Sequence, residues 1–168
     1  MRAVSNAGPL IHLSWIDRLD LLDELFEEVV VPDGVADEIL RTGTDVVGGD
    51  AIRAALAAGW LRVRAVTDKA EVAALTANLG QGEAETLVLM AQENGDLLLV
   101  DDRRARDEAE RRGVPFTGTI GLLREARERG LIEAAHPLVL RLRRMGFWVS
   151  GDLVDRLERE ERGRGRAQ

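Results

Sequence analysis

The sequence predicts a three-layer α/β/α sandwich with a mainly parallel central sheet and a C-terminal helical extension. Short apolar runs alternate with helix-patterned stretches along most of the chain, the order that builds parallel strands covered by crossover helices. The run "DLLLV" at 96–100 is apolar without alternation, as suits a strand covered on both faces. With 168 residues, of which 45% are apolar, the chain can bury one substantial core and is short for two.

The elements follow in order. "RAVS" reads as a strand, and "PLIHLSWIDRLDLLDELF" as one long helix with Pro9 in its first turn. "EEVVVP" is a strand stopped by Pro32, and "DGVADEILR" a short helix with Asp33 placed to cap it. "RTGTDVVGGD" is a loop rich in Gly and Thr, "AIRAALAAG" a helix, and "WLRVRAV" an alternating strand. "DKAEVAALTANLG" and "EAETLVLMAQENG" form a helical pair broken at Gly80–Gly82. After "DLLLVDD" comes the polar helix "RRARDEAERRG", a short strand "VPFTG" and the helix "TIGLLREARERG". Two further helices, in "AAHPLVLRLRRMG" and "DLVDRLEREER", flank "FWVSG". The expected division is an α/β domain over 1–135, a helical extension packed on it over 136–161, and a disordered tail over 162–168.

Composition removes several function classes. The chain has no cysteine, so disulfides, thiolate zinc sites and cysteine nucleophiles are excluded. A formal charge of −7 argues against a surface coated in positive charge for nucleic acid, but not against nucleic acid as a substrate, because a bound divalent cation changes the local sign. Neither a leader-like N-terminus nor a membrane-length apolar run is present, and the cytoplasm is the expected location. "GTIG" lacks a following "GK[ST]", which rejects a P-loop. A phospho-receiver would need its acidic pair after the first strand and a lysine after the last; the sole lysine, Lys69, is elsewhere.

In open parallel sheets the functional crevice lies beyond the carboxyl ends of the strands. Asn6 follows the first strand, Asp37 and Glu38 sit in the helix after the second, and Asp101 and Asp102 follow "DLLLV". Glu83 and Glu85 open the helix that leads into that strand. Taken singly, Glu83 and Glu85 would stabilise a helix N-terminus and Asp102 would cap the next helix. Gathered in one crevice, such carboxylates would repel one another unless a cation bound there. Oxygen ligands of this kind select Mg²⁺ or Mn²⁺, which can activate water and neutralise a phosphoryl group.

The ordered segments "VSNAGPLIHL", "VVVPDGVADEIL", "GQGEAETLVLMAQENGDLLLVDDRRARDEAERRG" and "GTIGLLREA" resemble the PIN-domain proteins, and a prokaryotic branch close to the VapC-type toxins in particular. The resemblance runs from about residue 3 to residue 155. It implies a metal-dependent endoribonuclease using Mg²⁺ or Mn²⁺, the toxin of a toxin–antitoxin pair. RNA would be the substrate, an antitoxin protein a partner, and a homodimer the assembly. It also implies four acidic positions. Asn6 stands at the first, Glu38 at the second, Glu83 or Glu85 at the third, and Asp101 or Asp102 at the fourth.

Two of these positions stay open on pattern alone. The apolar stripe Ala84, Leu87, Val88 and Ala91 leaves Glu83 and Glu85 on opposite flanks of their helix, and adjacent residues at a strand end point oppositely. The family's spacing favours Glu83 and Asp102. Asn6 departs from the pattern: an amide can lend a carbonyl oxygen to a metal, but it brings no charge and cannot act as a base. The alternative function is therefore an attenuated or inactive module that binds RNA or a partner protein. Arg103, Arg104 and Arg106, beside the expected cluster, could hold RNA phosphates or pair with neighbouring acids. His12 reads as structural or surface, Thr117 or Thr119 as a helix cap, and Phe147 and Trp148 as packing residues at a bend.

Overall fold

Alternate residues of the first strand supply both faces of the sheet. Val4, Val30, Leu98 and Val100 belong to one buried cluster with Val72, Leu75, Leu87, Val88, Ala105 and Ala109. Their strand neighbours Ala3, Val29, Val31 and Leu99 point the other way and are buried as well. A sheet covered on both faces is the reason these strands carry apolar residues without alternation.

The computed structural model describes residues 1–41 and 48–165, with side chains through 163. It comprises two compact units, Met1–Thr119 and Ile120–Gln168. The first unit runs β1 (Arg2–Ser5), α1 (Ala7–Trp15), α2 (Asp20–Leu25), β2 (Glu28–Pro32), α3 (Asp33–Arg41), α4 (Gly49–Ala58) and β3 (Leu61–Arg64). It continues through α5 (Lys69–Leu75), α6 (Gln81–Gln92), β4 (Leu97–Leu99), α7 (Arg103–Arg111) and β5 (Phe116–Thr117). Helix α8 (Thr119–Glu128) starts at the boundary, followed by α9 (His136–Arg144) and α10 (Gly151–Gly165).

The five strands form one sheet in the order β3-β2-β1-β4-β5, and every pairing is parallel. With helices covering it, this is the expected three-layer α/β/α class. Central strand β1 pairs with β2 on one side (Val4↔Val30) and with β4 on the other (Val4↔Leu98). The chain thus moves outward from β1 to β3 and then returns to the opposite side of β1. Such a reversal of strand order opens a crevice at the carboxyl ends of the two strands that flank it.

Some elements differ from expectation. The long first helix is two, α1 and α2, because Ile16 closes α1 and Asp17 takes a left-handed conformation with φ 57°, which aspartate tolerates better than most residues. The buried surface of α6 is wider than a stripe: Ala84 to Met90 are all buried, including Glu85 and Thr86, whereas Ala91 is exposed. Helix α10 extends through Gly165 into the segment expected to be a structureless tail. Of that tail, 166–168 lie outside the described residues, as do 42–47 of the loop expected over 41–50.

In the second unit, α9 and α10 pack on each other. The Glu161 carboxylate on α10 accepts from the backbone N–H groups of Ala135 (2.7 Å) and His136 (3.2 Å), capping α9. Trp148, expected to pack, is 84% exposed.

Candidate active site

The site begins where β1 ends. Asn6 keeps an extended backbone (φ −80°, ψ 173°) at the N-cap position of α1, yet its side chain does not cap that helix. Its backbone N–H donates to Leu99 O at 3.0 Å, fastening the exit of β1 to β4. The side chain is buried at 7% exposure and is free to reach across the crevice. There Asn6 Nδ2 donates to Glu83 Oε1 at 3.3 Å.

Glu83 lies in the first turn of α6, where the helix dipole favours a carboxylate. One residue earlier, Gly82 marks where three elements converge. A Cβ at this position would stand 3.3 Å from Asn6 Oδ1, 3.7 Å from Glu38 Oε2 and 3.2 Å from Val35 Cγ2. Glycine thus leaves room between an amide oxygen from the end of β1 and a carboxylate from α3, beside Glu83. The structure brings together Asn6, Glu38 and Glu83 of the sequence-predicted residues.

Glu85 is placed differently. It is 6% exposed and accepts from Gln81 Nε2 at 2.7 Å through Oε1, while its buried Oε2 has no hydrogen-bond partner among the described residues. That oxygen lies against Gly34, where a Cβ would collide with it. Gly34 and Glu38 share one face of α3, one turn apart, so Glu85 packs the same helix that presents Glu38. The continuous burial of α6 hides this from any reading based on an apolar stripe.

Asp101 and Asp102 diverge as adjacent residues at a strand end should. Asp101 turns inward: Oδ2 meets His12 Nδ1 at 2.7 Å and accepts from Thr119 Oγ1 at 2.6 Å, while Oδ1 accepts from Thr119 N at 2.8 Å and lies 3.4 Å from Arg106 Nη2. Burial pushes its carboxyl up, but the hydrogen bonds from His12 and Thr119, with the nearby imidazole charge, hold it below its ordinary value. Both oxygens of Asp101 are therefore committed to protein partners. Asp102 turns outward, and its Oδ1 caps α7 by accepting from Ala105 N at 3.0 Å.

The three arginines separate too. Arg106 points inward, donating from Nε to Val100 O at 2.9 Å as well as approaching Asp101, whereas Arg103 and Arg104 are exposed. Sequence reasoning missed His12 and Thr119 as partners of Asp101. The available signals were the position of His12 in the helix that follows the Asn6 corner and that of Thr119 in "GTIG".

Among the described residues no three His, Asp or Glu side chains form a metal-holding group. What converges is two carboxylates and one amide carbonyl, with the gap at Gly82 between Asn6 Oδ1 and Glu38 Oε2. These are hard oxygen donors, and they fit a hard divalent cation with two negative charges.

Residues 2–161 match the PIN-domain family DUF3368. Among solved structures, the chain is similar to a PilT N-terminus domain protein from the hyperthermophilic archaeon Sulfolobus solfataricus P2. The two are 25% identical with a TM-score of 0.57, over 75% of this chain and 93% of that one. No curated protein matches. No helix among the described residues is long and apolar enough to cross a membrane.

Proposed function

Because the chain belongs to the PIN-domain family, whose fold is nuclease-like, we propose that it is a metal-dependent endoribonuclease hydrolysing RNA phosphodiester bonds. The observation that carries this reading is the convergence of Asn6 Oδ1 and Glu38 Oε2 on Gly82, with Glu83 bonded to the same amide. PIN domains are generally divalent-metal dependent. In this reading Glu38, Glu83 and Asn6 Oδ1 would hold Mg²⁺ or Mn²⁺. The bound ion would supply water activation and neutralise charge on the phosphoryl group.

The chain's own residues do the positioning. The Asn6 amide serves both neighbours: Nδ2 fixes the Glu83 carboxylate, and Oδ1 faces the gap beside Glu38. In this reading Asp102 would contribute through Oδ2, while Oδ1 accepts from Ala105 N in the cap of α7. Asp101, which holds α1, Arg106 and Thr119 together, is in the same reading a positioning residue. The test is cleavage of single-stranded RNA with Mn²⁺ and with EDTA, comparing the wild type with Glu38→Gln, Glu83→Gln and Asp102→Asn. Cleavage in EDTA, or full activity in both glutamine variants, overturns the reading.

Asn6 favours a second reading, RNA or protein binding without turnover, because it removes a charge where the family pattern has an acid. Binding without cleavage at any Mn²⁺ concentration would establish it. We further read the protein as the toxin of a toxin–antitoxin pair, acting in the cytoplasm as a homodimer. An adjacent reading frame encoding a small DNA-binding antitoxin would support that role, and co-purification of its product with this chain tests it.

A further inference from the structure

Arg104 is among the arginines of this acidic chain that no acid neutralises among the described residues, and it is the one of them that lines a groove beside the candidate site. Arg2, Arg53, Arg112 and Arg124 pair with Glu28, Asp50, Glu108 and Glu160, whereas Arg104 makes no ion pair or side-chain hydrogen bond among the described residues. It lines a polar groove of about 680 Å³ between the α5–α6 turn and α7, together with Asn78, Gly80, Asp107 and Arg111. Arg104, Asp107 and Arg111 follow one another at i, i+3 and i+7 on one face of α7, spanning roughly 10 Å along its axis.

The groove meets the site already described at one residue, Gly80. Gly80 forms part of its wall, and a Cβ there would collide with Glu83 Oε2, so the Glu83 carboxylate borders this end of the groove. The side chains of Asn78 and Asp107 have no partner among the described residues. Arg111 is oriented by Glu108 through Nε and Nη2, an exposed pair weak enough for a phosphate to compete with. A chain of net charge −7 thus presents two guanidinium groups in one channel that leads to its acidic corner.

We propose that this groove binds the RNA strand flanking the scissile phosphate, with Arg104 and Arg111 on successive phosphates and Asp107 accepting a hydrogen bond from a ribose 2′-hydroxyl. The assignment rests on the nuclease reading only for the choice of ligand. Guanidinium groups suit phosphate oxygens. A carboxylate between them is an acceptor only: it repels a DNA backbone that offers it no donor, and tolerates RNA because the 2′-hydroxyl supplies one. Asn78 adds an amide that can meet a base edge or a sugar on the facing wall.

The experiment is fluorescence anisotropy of a labelled single-stranded RNA of mixed sequence, and of the DNA of the same sequence, with EDTA present so that binding is read without turnover. The full chain is compared with Arg104→Ala, with Arg104→Ala/Arg111→Ala, with Asp107→Ala and with Arg53→Ala, a control on α4 that matches the charge change of Arg104→Ala. The double variant should bind RNA roughly tenfold more weakly. Its log affinity against log salt should flatten by about 0.7 per arginine removed, while Arg53→Ala behaves as wild type. Asp107→Ala should strengthen DNA binding and erase the preference for RNA. Wild-type RNA affinity in the double variant overturns the groove assignment, and equal binding of RNA and DNA by the wild type overturns the role of Asp107. Binding of neither nucleic acid overturns the proposal in favour of a protein contact. RNA held through Arg104 and Arg111 but left uncut when Mn²⁺ is added supports this inference and overturns the nuclease reading alone.

Discussion

His12 Nδ1 meets Asp101 Oδ2 at 2.7 Å, joining the first helix to the residue that leaves β4. Because an ionised carboxylate only accepts, Nδ1 is the donor. Thr119 closes the other side of the same carboxylate with its backbone N–H and its hydroxyl. Asp101 is thus a buried tie among segments far apart in the chain, and its neighbour Asp102 is a local helix cap.

The two aspartates should therefore separate in stability measurements. Asp101→Asn is expected to cost about 2–3 kcal/mol, the range for hydrogen bonds to a buried charge. Asp102→Ala should cost about 1 kcal/mol, the usual loss of an N-cap. Urea unfolding of both variants reads the difference. Equal costs would show that Asp101 is not a structural tie.

The Asp101 contribution should depend on pH with a definite sign. Its folded pKa lies below the ordinary 3.8, so the folded state holds the carboxylate more strongly than the unfolded chain does. The stabilisation is fully present above that ordinary value and is lost as pH falls through the lower folded pKa. The stability gap between wild type and Asp101→Asn should be constant near neutrality and narrow below about pH 4. A gap that widens on acidification would contradict the hydrogen-bond pattern.

Asn6→Asp would replace a hydrogen bond by two carboxylates at the same separation. Without metal it should destabilise the protein by about 1 kcal/mol, a fall in Tm of roughly 2–4 °C. With Mn²⁺ the variant should show a larger upward shift in Tm than the wild type, because the new charge favours a bound cation. Faster RNA cleavage should accompany it. Identical Mn²⁺ shifts in the two proteins would remove Asn6 from the metal-binding set.

Gly34 and Glu85 form a close-packed pair across α3 and α6. Gly34→Ala should cost about 1–3 kcal/mol through overpacking against the buried carboxyl group. Combining it with Glu85→Ala should cost less than the sum of the single variants, since each substitution relieves the other. Additive losses in a double-mutant cycle would show that the two positions do not touch. Gly34→Ala should also lower RNA cleavage, because α3 carries Glu38 one turn further on.

Most elements were legible because each rests on a local pattern. Continuous apolar runs mark the buried strands, and the segment 33–41 has the predicted helix bounds of α3. Asn6 and the glutamates near it were legible as candidates because strand exits of a parallel sheet open into one crevice, and the resemblance to the PIN-domain proteins picked out Glu38 and Glu83 among them. The break between α1 and α2 was not, because it rests on one residue, Asp17, taking a positive φ within an amphipathic pattern. The burial of Glu85 was hidden by its composition: a glutamate in a helix reads as a solvent-facing residue until glycine on a neighbouring helix makes space for it.

The amino-acid order by itself determined the fold class and the crevice, because periodicity and strand-exit position are properties of contiguous residues, while the family resemblance implied an acid where Asn6 stands. Only the tertiary structure decided which carboxylates share that crevice. Asp101 is committed to His12 and Thr119, Glu85 to Gln81 and the space at Gly34, and Glu83 to Asn6. Those choices depend on side chains up to 89 residues apart in sequence meeting within hydrogen-bond distance, and such meetings exist only once the strands have paired and the helices have packed.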